Sequence, residues 1–358
     1  MGSIPIARSK TPTNATPAVA FVFYETLRGR RGDGTRRPAH PRGTHVFKNL
    51  TVFRLAHPID APLDAVDAAL RAATFSPCGP TQALSEGWVP PRDAEHAPLI
   101  ESIQGHRVLR YRIERKRVPA AVVRRELQAR CAHIEATEGR TPGRREQREL
   151  KDAIVQALLP VAFAQSIDVW VWWDVAAGRV ALDTTTAARI DAVVTALVKA
   201  IDGLRLEPID TALSPAGAMA GWLAANADDW PPHFAPGREV ELKGDGDSPA
   251  VVRFARHVLD PQEMRHHLQQ GKRPTRLALD WDGRATFVLT ESGQLRRVAL
   301  ADDVLRDDER DAADRFDTDV ALLTGELSSL IGDLIAALGG ERSIVTHPPA
   351  ACTSRSAA

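Results

Sequence analysis

The sequence predicts an α+β fold in which antiparallel β-hairpins and sheets pack with helices. Two segments, 166–186 and 275–300, alternate apolar and polar residues on both sides of a turn that contains glycine, which is the pattern of a β-hairpin. A third segment, 316–338, repeats leucine at steps of three and four residues, which is the pattern of a helix with one apolar face. Strands and helices are therefore both expected in this chain of 358 residues, which is long enough for a sizeable core and for two or three compact units.

The first 45 residues differ in composition from the rest. They are rich in Pro, Gly, Thr and Arg and carry eight basic against two acidic residues, so they predict a disordered segment. One explanation is a start codon assigned upstream of the true one, which we favour; the other is a basic arm that adds affinity for phosphates. The remaining 313 residues carry 38 basic against 44 acidic side chains. A nucleic-acid binder with such a body must gather its positive residues on one surface.

The first elements of the folded part are a strand and a helix. Residues 46–55 are rich in β-branched and aromatic residues and predict a strand, and residues 62–73 have helical spacing. Prolines punctuate 74–91 and predict a loop that holds Trp88 against its neighbours. Cys78 lies in this loop without a nearby base, so a structural role is favoured over a nucleophilic one.

A strongly basic segment follows. Residues 107–151 carry fourteen basic and six acidic side chains, and within them 107–117 alternate as a strand with a basic face. A helix is predicted from Pro119, with its arginines outward, and a second helix from Arg144 to near Pro160. The two helices predict a projecting helical hairpin with a basic surface. A solvated hairpin with unpaired arginines and no ligand explains the same pattern.

The hairpin at 166–186 leads into a predicted helix at 187–201. Its alternating tryptophans are expected to pack on the faces of a sheet rather than to stack on unpaired bases. The following segment, 208–236, gives a weak signal, in which Trp222 and Trp230 are expected to anchor a short helical unit.

Two more strands are predicted within 237–260, around the sequence GDGD, with Arg253, Arg256 and His257 in the second strand. A helix at 261–270, a turn at 271–274 and the hairpin at 275–300 complete this part. The chain then becomes acidic, with three arginines against nine acids in 301–319, before the leucine-rich helix.

The sequence lacks the motifs of several common binding sites and targeting segments. The three cysteines are widely spaced and suggest neither disulfides nor a zinc site, and no apolar run predicts a membrane span or an export signal. His266 and His267 are adjacent on a predicted helix and point in different directions, so they are not expected to bind one metal ion. No metal and no cofactor is predicted for this chain. There is no P-loop and no dinucleotide-binding motif. A nuclease-type metal site formed by acids of the segment 301–319 is a weaker alternative. Its candidate ligands are Asp302, Asp303, Asp307 and Asp308.

Five segments together resemble the recombination-associated RdgC family. They are TFSPCGPTQALSEGWVPP (74–91), LALDWDGRATFVLT (277–290), RFDTDVALLTGELSSLIGDLI (315–335), FKNLTVFRL (47–55) and LKDAIVQALLPVAF (150–163). The resemblance runs from about 46 to 341 in the order of the family. It implies a non-enzymatic homodimer that closes as a ring around double-stranded DNA, has little sequence preference and restrains the RecA recombinase.

The resemblance also implies a division of the chain and a set of contacts. The central α+β domain takes 46–118 and 164–205, the helical tip 119–163, and the base 206–341, part of which is allowed to pack into the central domain; 342–358 is a disordered tail. Phe163 resembles the aromatic residue of the family near the contact between two tips, with an ordinary core phenylalanine as the alternative. Two groups of basic residues are predicted to bind phosphates. They are Arg115, Lys116, Arg117, Arg124, Arg125 and Arg130 in the first group, and Arg253, Arg256, Lys272, Arg273 and Arg276 in the second.

The sequence therefore predicts a cytoplasmic, nucleoid-associated protein whose partners are double-stranded DNA and a second copy of itself, with single-stranded DNA as a further candidate. Antagonism with RecA would arise from competition for DNA. Two other functions stay open: a metal-dependent nuclease, and a factor that binds the recombinase directly.

Overall fold

The predicted α+β class is confirmed by the computed structural model, which describes residues 47–59, 61–92, 96–246, 249–301 and 312–342. The predictions for the N-terminal segment, for the acidic residues 302–311 and for the C-terminal tail lie outside these residues.

A large antiparallel sheet is the main element. Its strands are, in chain order, β1 (Leu50–Leu55), β2 (Leu84–Val89), β3 (Ile100–Ile103), β4 (His106–Lys116), β5 (Ala164–Asp174), β6 (Arg179–Asp183), β7 (Leu206–Pro208), β8 (Phe234–Lys243), β9 (Val251–Ala255), β10 (Arg273–Trp281), β11 (Ala285–Thr290) and β12 (Leu295–Leu300). The order across the sheet is β2-β4-β5-β6-β1-β12-β11-β10-β8-β9, with β3 on β4 and β7 on β1. The short β1 joins the two halves, since it pairs with β6 over five residues and with β12 at Leu50.

Seven α-helices occur in the described residues. They are α1 (Leu63–Arg71), α2 (Ala120–Glu138), α3 (Arg144–Leu158), α4 (Ala187–Ala200), α5 (Pro215–Ala224), α6 (Pro261–Gln269) and α7 (Ala312–Ala337). Local chemistry sets several of their ends. Ser214 and Asp260 cap α5 and α6, each with its side chain accepting a hydrogen bond from a backbone N–H of the first turn. Gly139 ends α2 in the left-handed conformation, which glycine adopts without strain.

The helices cover opposite faces of the two halves of the sheet. Trp172 belongs to a core formed with α5, α6, α7 and strands β8 to β12, whereas the next residue, Trp173, belongs to a core formed with α1 and α4. Because successive side chains of a strand point to opposite faces, the two cores lie on opposite sides of the sheet. The predicted packing of the tryptophans on sheet faces is confirmed.

The predicted leucine face of α7 is also confirmed. Leu327 and Leu330 are fully buried in the first core. By length and composition alone, residues 315–337 would be able to cross a membrane, but the helix buries Leu323, Leu327, Leu330 and Leu334 as a core helix does.

Four details differ from the sequence predictions. The segment 74–91 is not loop throughout, because its last part forms β2 against β4. The segment 275–300 is not a two-stranded hairpin, because β12 adds a third strand. The predicted turn at 271–274 already contains the start of β10. Arg256 and His257 follow β9 rather than lie in it, since Arg256 has φ +56°, which ends the extended strand.

Candidate nucleic-acid interface

The first basic group begins at the end of β4. Arg115 and Arg117 are exposed and form no ion pair with any described residue. Lys116 lies between them and is held differently, since its Nζ donates to the carbonyl oxygens of Gly79 at 2.8 Å and Pro80 at 3.4 Å. Lys116 therefore ties β4 to the preceding loop, while its two neighbours are free to meet an anion.

The basic group continues on α2. Arg124, Arg125 and Arg130 are all exposed, and Val123 is the one residue of α2 that is buried. The only ion pair that these arginines form within the described residues is a loose one, 3.8 Å from Arg125 to Glu126. The predicted outward placement of the three arginines is confirmed; their role in binding stays a prediction.

The next helix, α3, adds cations that the sequence analysis did not select. Arg144, Arg148 and Lys151 are exposed and lie on one face, since they are spaced by four and three residues. This spacing was readable in the sequence. By contrast, Arg140 between the helices is held by Glu138 and Glu146, each at 2.7 Å, and these hydrogen bonds raise its pKa. The positive charge of Arg140 is therefore compensated by these two carboxylates.

The second basic group lies on the half of the sheet that β8, β9 and β10 form. Val240 and Leu242 face the helices, so the alternate residues Glu239, Glu241 and Lys243 face the other way. We call this second surface the open sheet face. Its members on the three strands are Glu239, Glu241, Lys243, Arg253, Arg273 and Arg276. No residue of β8 to β12 belongs to the described core that α1 and α4 cover.

Glu241 organises the open sheet face. It is paired in register with Arg253 on one side and with Arg276 on the other. Its Oε2 lies 2.6 Å from Arg253 Nη2 and 3.6 Å from Arg276 Nη1, and its Oε1 accepts a hydrogen bond of 2.9 Å from Thr275. Partial burial acts to raise the pKa of Glu241, but the hydrogen bonds from Thr275 and Arg253 and the charge of Arg276 outweigh it and hold this pKa below its usual value.

The remaining members of the second group lie around this centre. Arg273 is exposed and forms a loose ion pair with Asp245, at 3.8 Å. Arg256 is also exposed and lies beyond the end of β9. Lys272 is half-buried, and its Nζ lies 2.6 Å from Gln270 Oε1 and 2.9 Å from His267 Nδ1. Lys272 is thus engaged within its own turn and is less free than its neighbours to bind phosphate.

The structure brings Arg253, Arg273 and Arg276 together but keeps the two basic groups apart. Five strands separate β4 from β10 in the sheet. At a spacing of about 4.8 Å per strand, the groups lie roughly 30 Å apart along the sheet. They therefore form two distinct surfaces.

Phe163 lies in the short connection between α3 and β5. Its side chain is 89% exposed, and Val161 beside it is 75% exposed. The alternative that Phe163 is an ordinary core residue is therefore wrong. Two large apolar side chains at one exposed corner are typical of a contact surface.

The three alternative sites are the Cys78 thiol, a metal site and the nuclease candidates. Cys78 Sγ approaches the carbonyl oxygen of Glu114 at 3.5 Å, and burial, followed by the hydrogen bond and charge of Glu114, raises the pKa of this thiol. No group of three His, Cys, Asp or Glu side chains within the described residues is placed to hold a metal ion. The candidate nuclease residues Asp302, Asp303, Asp307 and Asp308 lie outside the described part of the chain.

Comparison with known proteins gives a match over the whole described fold. The family model RdgC, described as "Putative exonuclease, RdgC", matches residues 46–341. The recombination-associated protein RdgC of Cupriavidus necator is 40% identical over 299 residues, which cover 83% of this chain and 99% of that protein. The proteins of the same name from Janthinobacterium sp. and Bordetella pertussis are each 38% identical, over 82% and 83% of this chain and 98% and 99% of their own lengths. Because this match runs from β1 through α7, the chain belongs to the RdgC family and is associated with recombination.

Proposed function

We propose that this protein is a non-enzymatic, sequence-independent binder of double-stranded DNA that encircles the duplex as a homodimer and restrains RecA. The observation that carries the proposal is the placement of exposed cations on two surfaces of a body that is otherwise net acidic. Acidic residues elsewhere repel the phosphate backbone, so they confine DNA to these surfaces.

Recognition through phosphates accounts for the lack of sequence preference. Arginines and lysines that bind phosphate oxygens position a duplex without reading its bases. Affinity then comes from the release of counterions and falls with salt, with a slope of about −0.9 for each phosphate neutralised. A strong preference for one operator sequence, or an affinity that salt does not change, would contradict this mechanism.

Dimerisation involves the first basic surface. In the proposal, α2 and α3 form a projecting hairpin, and the exposed Phe163 at its base meets its counterpart in a second copy. An aromatic side chain that is 89% exposed in the monomer gains a large apolar contact when it is covered. The two copies then close around the duplex, and the basic surfaces line the channel.

Restraint of RecA follows from occupancy of the same DNA. The curated relatives carry the words "recombination-associated" in their names, which supports a role next to the recombinase. Excess DNA should relieve inhibition of strand exchange by a competitor for DNA. Inhibition that persists with DNA in excess would instead favour a factor that binds the recombinase directly.

The test of encirclement compares linear with closed-circular duplex DNA of the same sequence. We expect a dimer that resists a high-salt wash on the closed circle and is lost from the linear molecule, from which a ring slides off. Equal loss from both would leave a surface binder, and no binding to either would refute the DNA-binding function.

Nuclease activity is the second candidate, because the description of the matching family model contains the word "exonuclease". Purified protein incubated with linear duplex and either Mg²⁺ or Mn²⁺ distinguishes the two functions. We expect the DNA to stay intact. Degradation that EDTA stops, and that asparagine at Asp302, Asp303, Asp307 and Asp308 abolishes, would overturn the non-enzymatic proposal.

A further inference from the structure

Three exposed arginines on or beside the open sheet face, Arg253, Arg276 and Arg297, are each paired with a more deeply placed carboxylate. The side chain of Glu241 is 18% exposed, against 52% for Arg253 and 38% for Arg276. On the same strand, Glu239 is 27% exposed and its partner Arg297, on β12, is 61% exposed at a distance of 2.6 Å. In both cases the carboxylate lies beneath the guanidinium groups.

This arrangement comes from the register of the sheet. Glu239 and Glu241 are two residues apart on β8 and therefore point to the same face. Arg253 is directly opposite Glu241 on β9, and Arg276 is directly opposite it on β10. Arg297 reaches Glu239 from β12, past β11 and β10. The two carboxylates are thus placed in the middle of the surface to which DNA is proposed to bind.

We infer that Glu239 and Glu241 attenuate the affinity of this surface for DNA by acting as internal counterions of its arginines. The inference rests on the proposed function. A phosphate that approaches Arg253 or Arg276 meets a guanidinium whose charge is already partly compensated, and the phosphate is repelled by the carboxylate behind it. The pair sets the affinity of the surface below what its arginine content would give.

The size of the effect follows from the geometry. With the guanidinium between them, a phosphate and the carboxylate of Glu241 are separated by about 6 Å. Repulsion between unit charges at this distance in solvent-like surroundings weakens binding about threefold, and by more where water is excluded. Ordered carboxylates also hold the arginines in place, which acts in the opposite direction. Because the carboxylates are recessed and the arginines extend past them toward solvent, we expect the loss of charge to outweigh the loss of order.

The test is the glutamine variant of each carboxylate, Glu241→Gln and Glu239→Gln, in the full chain. Glutamine keeps the shape of the side chain and one oxygen that can accept from the arginines, and at position 241 its amide nitrogen can donate to the Thr275 hydroxyl, but it removes the charge. We expect each variant to bind a random-sequence duplex about threefold to tenfold more tightly than the unmodified protein at low salt. The plot of log affinity against log salt should become steeper by about 0.9 for each additional phosphate that the variant neutralises.

A matched control is Glu326→Gln on α7. Glu326 is 18% exposed and pairs with Arg284, which is 47% exposed, so burial and chemistry match those of Glu241 and Arg253. This pair lies on the helical side of the sheet, because α7 belongs to the core that faces Val240 and Leu242. The control should leave both the affinity and the salt slope unchanged.

The outcomes separate this inference from the proposed function. If the unmodified protein binds DNA while folded Glu241→Gln and Glu239→Gln bind equally or less tightly, the attenuating role is refuted and the DNA-binding function stands. If the control variant tightens binding as much, the effect is one of net charge and the inference fails. If the unmodified protein does not bind DNA at all, the proposed function fails first. Thermal melts identify a variant that does not fold, and the other variant then decides the question.

Discussion

Reversal of the three arginines on α2 tests the first basic surface most directly. Arg124, Arg125 and Arg130 lie outside the core, and the side chain of Arg125 is 77% exposed, so glutamate at these positions should change the free energy of unfolding little. At about 0.15 M salt, each phosphate neutralised contributes roughly a fivefold gain in affinity through counterion release. Loss of three contacts should therefore weaken binding at least about 100-fold and reduce the salt slope by about 2.7.

Fluorescence anisotropy with several unrelated duplexes at a series of salt concentrations measures both quantities. The loss should be the same for every sequence, because phosphates are common to all of them. The matched control is Arg189, Lys199 and Arg205 changed to glutamate, since these residues lie on or after α4 and give the same change in net charge. Equal losses in the two triple variants would refute the assignment of a site to α2.

Three further predictions concern the proposed dimer, the sheet and Cys78. Phe163→Ala should weaken the proposed dimer by about 2 kcal/mol, or roughly 30-fold in dissociation constant, without changing monomer stability. Val258→Ala, also at an exposed apolar residue, should leave the dissociation constant unchanged. Light scattering over a dilution series measures both variants. Gly87→Ala should lower the free energy of unfolding by about 3 kcal/mol, because the new Cβ would lie 2.6 Å from the backbone of Phe75. Gly221→Ala, with open space around the new Cβ, should be neutral or stabilising. Urea titrations measure both. The third prediction uses a variant without the other two cysteines. In it, Cys78 should require a higher pH for alkylation in the folded protein than in urea, because burial and Glu114 raise its pKa. Faster alkylation of the folded protein at neutral pH would mean that the thiol is activated.

Periodicity predicted those elements whose own residues determine them. The strand β4 and the helix α7 have uninterrupted patterns, and each was predicted to within a few residues. By contrast, β2 has a glycine and flanking prolines, and it becomes a strand because β4 supplies its hydrogen bonds. Gly87 is also required there, since the backbone of Phe75 crosses next to it. A pattern along one strand does not contain such contacts between distant segments.

The same limit applies to the candidate site. Counts of charge located the basic segment that contains the exposed arginines of α2. They did not reveal that Arg253 and Arg276 share one carboxylate, since Glu241 is separated from each of them along the chain. Register between strands decides which charges meet, and the sequence does not state the register.

The contrast between the two basic surfaces suggests different tasks for them. On α2 the arginines are almost without internal partners, so each is available to a phosphate at full strength. On and beside the open sheet face, Arg253, Arg276 and Arg297 are partly compensated by Glu239 and Glu241, so we expect weaker contact there for the same number of cations. The proposed ring, closed around DNA, would need retention from its topology rather than from tight contacts on its wall. Strong capture by α2 and α3 combined with weak contact on the sheet meets that requirement, and the salt slopes of the α2 triple variant and of Glu241→Gln should therefore change in opposite directions.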